Sequence, residues 1–516
     1  MSRPVLFLLA AAVPLLLYAR TVTFDFVRAD DLDLIAGNQA FLSDVANVPR
    51  AFARSYFEVE GDLVQQKTYY RPVAIASFML DAARAGADPS AYHLTNVVLH
   101  AAVTCLLLLL ATAWGAPLLA SLAAALVFAV HPVNVQAVAW IAGRNDLLMA
   151  AFGLISLAAW TKGMTAAHCT AFALAVFSKE TGFLFLALAL LHQRLVLRAP
   201  LARAQKAALG VDVAIVVAWA VLRSRALAGM PSELSWDTVR VMGANAPQVL
   251  AHVRKIVIPA WLNVAPGVQD RDLLLAAVAL IALGIAASRY LTSALSAFAA
   301  AWVLLFLLPT LTVAGMPAYE HRAYVPLIGL VLVFALASAR RKGAAYDGAV
   351  RVPRAGRALA AGVAIVIAML ATLTWMRQDV FRSPATYWSD AARDPVFGPL
   401  ANVNLGQLYE ADGRLADARR EYLRALERDA STPKAHNNLG VVLMKLNQPE
   451  LALKHFEDEV ARHPWNADAW FNLGLFEEMR GNDAGARRHY ERAIAENRAF
   501  RPAYEKLGLR PPSSRN

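Results

Sequence analysis

The sequence predicts an all-α protein in two parts: a polytopic membrane helix bundle of about eleven spans, then an α-solenoid of short helical repeats. Three observations predict it. Of the 516 residues, 58% are hydrophobic, whereas ordinary soluble domains hold about 45–50%. The apolar residues gather in runs of bilayer length. From about residue 387 onward the chain turns polar and repeats itself every 34 residues.

A bilayer core asks for about 20 apolar residues per helix. Segments near 4–19, 94–113, 117–133, 145–160, 166–178, 182–197, 208–223, 273–288, 294–311, 323–338 and 358–375 meet or approach that length. The first, in "MSRPVLFLLAAAVPLLLYAR", has the look of a signal peptide, but with so many spans behind it the expectation is a retained signal anchor. The loop "HQRLVLRAPLARAQK" carries Arg194, Arg198, Arg203 and Lys206 without an acid. The loop "ARRKGAAYDGAVRVPRAGR" carries Arg340, Arg341, Lys342, Arg351, Arg354 and Arg357 against Asp347. With eleven spans both loops share the side of the N-terminus, which the positive-inside rule makes cytoplasmic. The loops holding Asp30, His131, Lys179 and His321, and everything after residue 375, then face outward. In a bacterial cell the membrane would be the inner one. This placement also accounts for the net charge of +11: the basic residues sit between apolar segments, where an anionic leaflet explains them, so no nucleic acid is implied. Cys105 and Cys169 lie inside apolar stretches and are expected to be small buried hydrophobes rather than a disulfide.

Behind the last span, "NLGQLYEADGRLADARREYLRALERD", "NLGVVLMKLNQPELALKHFEDEVARH" and "NLGLFEEMRGNDAGARRHYERAIAEN" follow one another. Leu405, Leu439, Leu473 and Leu507 are 34 apart, as are Gly406, Gly440, Gly474 and Gly508. This is the tetratricopeptide period, with two antiparallel helices per repeat, glycine or alanine where they cross, and an aromatic (Tyr422, Phe456, Tyr490) at the packing face. Three repeats and a capping helix from Arg501 fill a domain over 387–510. Such solenoids bind peptides or partner proteins. Asn404, Asn438 and Asn472 recur on the first helix of each repeat, where an amide can dock an acceptor's backbone or simply be a polar groove residue.

The membrane part, 1–380, holds its chemistry in the outer loops. The first, 20–92, is long for a connection. It opens with "TFDFVRADDLDLIAGN", placing Asp30 and Asp31 on the first exposed turn, where ordinary loop charge is the plain alternative. The aromatic stretch "AFARSYFEVEG" suggests short helices on the membrane surface. Arg71 follows two tyrosines and asks either for an anion or for an acid such as Asp62. The second outer loop carries His131 and the cluster Arg144-Asn145-Asp146, readable as caps and interface anchors. The third, "FSKETG", sets Lys179 and Glu180 between two spans, where charge is expensive and usually functional. The last adds Glu320, His321 and Arg322. An acidic pair and four cations, Arg71, Arg144, Lys179 and Arg322, thus share one side, with His131, Glu180 and His321 in support. They suit a carboxylate base beside a cradle for a phosphate.

In order, "FVRADDLDLIAGN", "YYRPV", "YHLTNVVLHA", "FAVHPVNVQAVAWIAGRNDLL", "SKETG" and "YEHRAYVPLIG", followed by tetratricopeptide repeats, resemble the transmembrane and tetratricopeptide repeat-containing O-mannosyltransferases of the GT-C glycosyltransferase superfamily. The chain departs from the family pattern at Gln136, where an acid is usual, and at His321, which separates Glu320 from Arg322. The resemblance implies a GT-C-like bundle and an inverting transfer of a hexose such as mannose. The donor would be a polyprenyl-phosphate sugar and the acceptor a hydroxyl on a protein. Asp30 would be the base, with Asp31 as its neighbour and alternative. Arg71, Arg144, Lys179 and Arg322 would bind the donor phosphate. No cofactor is implied, and a metal requirement stays open. Two other readings compete: a non-catalytic tetratricopeptide scaffold for envelope assembly, and a transporter of lipid-linked sugars, which would show repeated or broken spans.

Overall fold

The computed structural model describes residues 3–27, 30–59, 62–63, 69–227, 237–313, 317–339 and 354–510. The basic loop over 340–353, which carries much of the argument for sidedness, lies outside the described residues. The chain forms two compact units, Met1–Val264 with Val268–Ser383, and Pro384–Asn516 with Ala265–Gly267.

The first unit is a helix bundle of a polytopic membrane protein. Among the described residues nine helices are long and apolar enough to span: Arg3–Thr23, Pro89–Ala113, Ile141–Thr161, Glu180–Leu197, Arg203–Ala226, Asp270–Tyr290, Ser293–Thr312, Glu320–Ser338 and Ala358–Phe381. A tenth exists if the bent pair Leu118–Ala129 and Pro132–Ala139 is one span. The apolar helix Thr165–Ser178 is shorter, at 14 residues, or about 21 Å at 1.5 Å per residue. The eleven segments expected from hydropathy therefore all fall on helix; 166–178 is too short to cross about 30 Å unaided, and 117–133 crosses only if the bent pair is one span.

Burial sorts the spans. Ile141–Thr161 and Glu320–Ser338 are 83% and 78% buried over their apolar windows, whereas Arg203–Ala226, Asp270–Tyr290 and Ala358–Phe381 are each 11% buried. The former make the interior and the latter form its rim. Several polar residues inside the bundle are paired, as a hydrocarbon setting favours. His100 contacts the Tyr324 hydroxyl through Nδ1 at 2.8 Å and the Ala129 carbonyl through Nε2 at 3.0 Å. His168 joins Asp212 at 2.9 Å. Both cysteines are free.

The bend of 52° after Ala129 follows from Pro132, which has no N–H to continue the ladder. The carbonyls it releases are taken up by side chains: Asn134 Nδ2 donates to Phe128 at 2.7 Å and Thr374 Oγ1 to Val130 at 2.7 Å. His131 caps the resumed helix, its Nδ1 accepting from the Val133 amide at 3.3 Å.

The first loop contains short helices at Asp31–Leu34, Gln39–Leu42 and Val48–Ala51. The aromatic stretch from Phe52 is not helical, contrary to expectation. It runs through turns into a two-residue hairpin, Glu58–Val59 against Asp62–Leu63, because Tyr56 and Phe57 are drawn into the bundle and buried there.

The second unit is the tetratricopeptide solenoid. Its helix pairs are Gly398–Ala411 with Leu415–Arg428, Ala435–Lys445 with Pro449–Arg462, and Ala467–Met479 with Asp483–Glu496, capped by Arg501–Lys506. The 34-residue spacing has a steric cause. A Cβ on Gly440 would lie 2.5 Å from the Phe456 ring, and one on Gly406 or Gly474 would lie 2.4 Å from Tyr422 or Tyr490. Only glycine lets the aromatic of the second helix close on the backbone of the first.

Candidate active site at the loop end of the bundle

Asp31 is the anchor. Buried at 0% exposure, its Oδ1 accepts from the Ala142 amide at 3.0 Å and its Oδ2 from the Val27 amide at 3.2 Å. It therefore ties the first loop, 20–92, to the segment that precedes Arg144. Burial pushes its carboxyl up to about 8, against the pull of the two amides; the charge of Asp30 beside it adds to the rise. Asp30 is half-buried at the start of the Asp31–Leu34 helix. Its charge reaches Tyr56 of the first loop and Tyr319 of the last, so it stands between two loops that are far apart in sequence.

Three of the four expected cations gather in the same region. Arg71 ends the first loop and meets Glu180 of the third in a two-point ion pair, Nε to Oε2 at 3.0 Å and Nη2 to Oε1 at 2.7 Å. Its guanidinium also lies over the Tyr69 ring, 4.3 Å from the centroid. Among the described side chains, the acid that pairs with it is Glu180; the side chain of Asp62, the acid expected from the sequence, lies outside them. Lys179 Nζ donates to Asp146 Oδ1 at 2.7 Å. Arg322 lies within electrostatic range of Arg71, Asp146, Tyr69 and Tyr319. Lys179 and Glu180 can face different partners because Gly182 closes the turn: a Cβ there would meet the Ala175 carbonyl oxygen at 2.4 Å.

Arg144 is placed otherwise. It is fully buried, with Nε on Asn96 Oδ1 at 2.8 Å, Nη1 on Asp81 at 2.6 Å and on the Ser77 carbonyl at 3.2 Å, and Nη2 on the Tyr92 carbonyl at 2.8 Å. All these acceptors are protein groups, so it braces the bundle behind Asp31 instead of presenting charge to a ligand. His131 likewise spends its ring, Nε2 donating to the Ile256 carbonyl at 3.0 Å and Nδ1 capping Val133. His321 does join the site, within range of Lys179, Arg322 and Arg71. Gln136 Oε1 accepts from the His321 amide at 3.1 Å and faces its Nδ1 at 3.3 Å. The two departures from the family pattern are each other's partners.

Other groups at this end went unnoticed in the sequence. Lys255 lies on Asp237–Val257, an amphipathic helix that a search for spans passes over. Its buried amine donates to the Ala318 carbonyl, and burial draws it down to about 7 although Glu320 opposes the shift. Glu320 pairs with Arg377 at 2.9 Å. A stripe of apolar residues broken by His252, Arg254 and Lys255 was the available signal.

The asparagines of the solenoid behave unequally. Asn404 donates back to its own helix at Leu400, 3.2 Å away. Asn472 donates to Asn437 Oδ1 at 2.8 Å, and Asn437 in turn to Asn438 at 3.2 Å. Asn472 also lines a cavity of ≈ 580 Å³ with Met444, Lys445, Phe476, Glu478 and Lys506.

Family models described as tetratricopeptide repeat and TPR repeat match residues 437–502 and 406–447. In the rest of the comparison the name that recurs is an O-mannosyltransferase. The chain is 36% identical over 163 residues to Protein O-mannosyl-transferase tmtc2 of Xenopus laevis, covering 32% of this chain and 19% of that one. It is 35% identical over 167 residues to TMTC2 of Homo sapiens, again 32% and 19%, and 31% identical over 157 residues to Tmtc1 of Drosophila melanogaster, 30% and 18%. Over that stretch the chain is similar to the TMTC protein O-mannosyl-transferases. The aligned part is about a fifth of each relative's length. Among solved structures, ArnT from Cupriavidus metallidurans bound to undecaprenyl phosphate aligns over 92% of this chain and 81% of its own, at 15% identity and a TM-score of 0.42. MamA aligns over 24% of this chain and 81% of its own, at 23% identity and a TM-score of 0.20.

Proposed function

We propose that this chain is a membrane glycosyltransferase that moves a hexose such as mannose from a polyprenyl-phosphate donor to a hydroxyl on a protein, at the extracytoplasmic face. The observation that carries the reading is the meeting of three loops: Asp30, Asp31 and Arg71 from the first stand with Lys179 from the third and Arg322 from the last at one end of an apolar bundle. A lipid-linked donor cannot leave the bilayer, so its anomeric carbon must be met at that boundary. The relatives' name supports sugar transfer to protein.

Asp30 takes the proton of the acceptor hydroxyl as its oxygen attacks C1, with inversion. Asp31 positions it by fixing the turn through two backbone amides. The phosphate leaves with its charge facing the cations. Arg71 gives two N–H groups to Glu180 and Lys179 one to Asp146, out of five and three, which leaves donors for phosphate oxygens. Fixed donors of this kind need no rearrangement as charge develops. Arg144 and His131 hold the scaffold.

A scaffold would need only one or two spans and no such convergence of charge. The transporter reading gains, among the described residues, one bent helix pair, whose polar caps belong to the end carrying His131 and Gln136. The test is transfer from a synthetic polyprenyl-phosphate mannose by purified protein in detergent. Asp30→Asn is expected to reach the membrane in normal amount and lose about 10²–10⁴-fold in rate. Undiminished transfer by both Asp30→Asn and Asp31→Asn would reduce the pair to ordinary loop charge.

A further inference from the structure

The middle repeat of the solenoid carries a side-chain cluster that sugar transfer does not use. His436 on Ala435–Lys445 and His455 on Pro449–Arg462 face each other, Nδ1 to Nδ1, at 2.9 Å. Asp458 follows His455 by three residues, hence on the same helix face. The ligating atoms of the three lie within 4.8 Å of one another. His436 is 7% exposed and the other two are half-buried, so the cluster is rooted in the packing between the two helices and open on one side.

The repeat frame shows what is special here. At the equivalent positions of the first repeat, Asn402 donates to Glu421 at 2.8 Å and Arg424 pairs with Glu421 at 2.7 Å. In the third, Trp470 stacks on His489 with centroids 5.8 Å apart, and Arg492 lies 5.7 Å from the Trp470 ring. Each repeat thus bridges its two helices at this point, and both outer repeats place an arginine beside the bridge. Only the middle repeat combines two imidazoles with a carboxylate in the arginine's place.

We propose that His436, His455 and Asp458 form a site for a divalent late-transition cation such as Zn²⁺, with a fourth position left to water or to a partner's side chain. Two imidazoles and one carboxylate are a common donor set for such ions. Zinc–nitrogen bonds of about 2.0–2.1 Å in a tetrahedron put two nitrogens about 3.3 Å apart, so the rings need part by only about 0.4 Å. Burial holds both imidazoles below their usual range, in the neutral form that ligates. The other cluster of this kind among the described residues, His168, Cys169 and Asp212, has both ring nitrogens already engaged by Ser156 and Asp212.

Untagged full-length protein in detergent, titrated with Zn²⁺ against a chromophoric chelator, tests the site. Wild type should take up one equivalent more than His455→Ala or Asp458→Arg, whose affinity should fall at least about tenfold, since loss of even an outer partner costs 10–100-fold. Asp458→Arg restores the arginine of the outer repeats and should keep the fold, checked by circular dichroism without metal. Zn²⁺ should raise the melting temperature of wild type and leave that of Asp458→Arg unchanged. Equal uptake by wild type and both variants, or no stoichiometric uptake by wild type, overturns the proposal.

Discussion

Arg71 and Glu180, 109 residues apart in the chain, form a two-point ion pair that joins the long first loop to the short segment holding Lys179. Its side chains are 10% and 31% exposed. The geometry needs a planar fork, which lysine lacks. Arg71→Lys is therefore expected to raise KM for the lipid-linked donor about tenfold or more, with a smaller fall in kcat than Asp30→Asn causes. Glu180→Gln removes the competitor for the guanidinium and should not raise that KM. Steady-state kinetics on the two variants separates the outcomes; equal KM for wild type and Arg71→Lys would remove Arg71 from donor binding.

The raised carboxyl of Asp31 sets a pH dependence. An acid whose folded pKa lies near 8, above the ordinary value near 4, binds more protons folded than unfolded. Its contribution to stability is complete below about pH 4 and is lost as pH rises toward 8. Wild type should lose melting temperature across that window, and Asp31→Asn, neutral throughout, should lose less. Parallel curves for the two proteins would show that the two amide donors keep Asp31 ionised.

Removing the solenoid separates presentation of the acceptor from chemistry. Deletion of 384–516 takes out a compact unit with its own core. The remaining chain should insert normally, still transfer to a short soluble acceptor, and fail on a folded protein substrate. Full activity on the folded substrate would show that the repeats do not present it.

Loop charge sets an expectation for sidedness. A periplasm-active phosphatase fused after Asn516 is expected to be active, and one fused after Arg351 inactive. The reverse pattern would turn Asp30 toward the cytosol and end the proposed reaction at the extracytoplasmic face.

Much of this architecture was legible in the sequence because two simple periodicities write it. Apolar runs give the spans, and the 34-residue return of Gly406, Gly440 and Gly474 gives the solenoid, since each glycine answers one aromatic at a fixed distance along the chain. The membership of the site was less legible. Arg144 reads as an exposed cation until Asp81, Asn96 and Tyr92 close around it, and nothing local announces partners on other helices. Lys255 was missed because its helix is amphipathic rather than spanning. The pairing of Gln136 with His321 shows the same limit from the other side: two separate irregularities in the sequence are one contact in space.

The tight turn at Gly182 carries a mechanical consequence. Lys179 and Glu180 are neighbours on one short segment, yet one grips Asp146 at the head of the helix Arg144–Thr161 and the other grips Arg71 at the foot of the first loop. With no slack in the turn, the two grips cannot be released separately. An anion that drew Arg71 away from Glu180 would pull on the segment seating Lys179, so a pull on the first loop would be passed to the helix Arg144–Thr161.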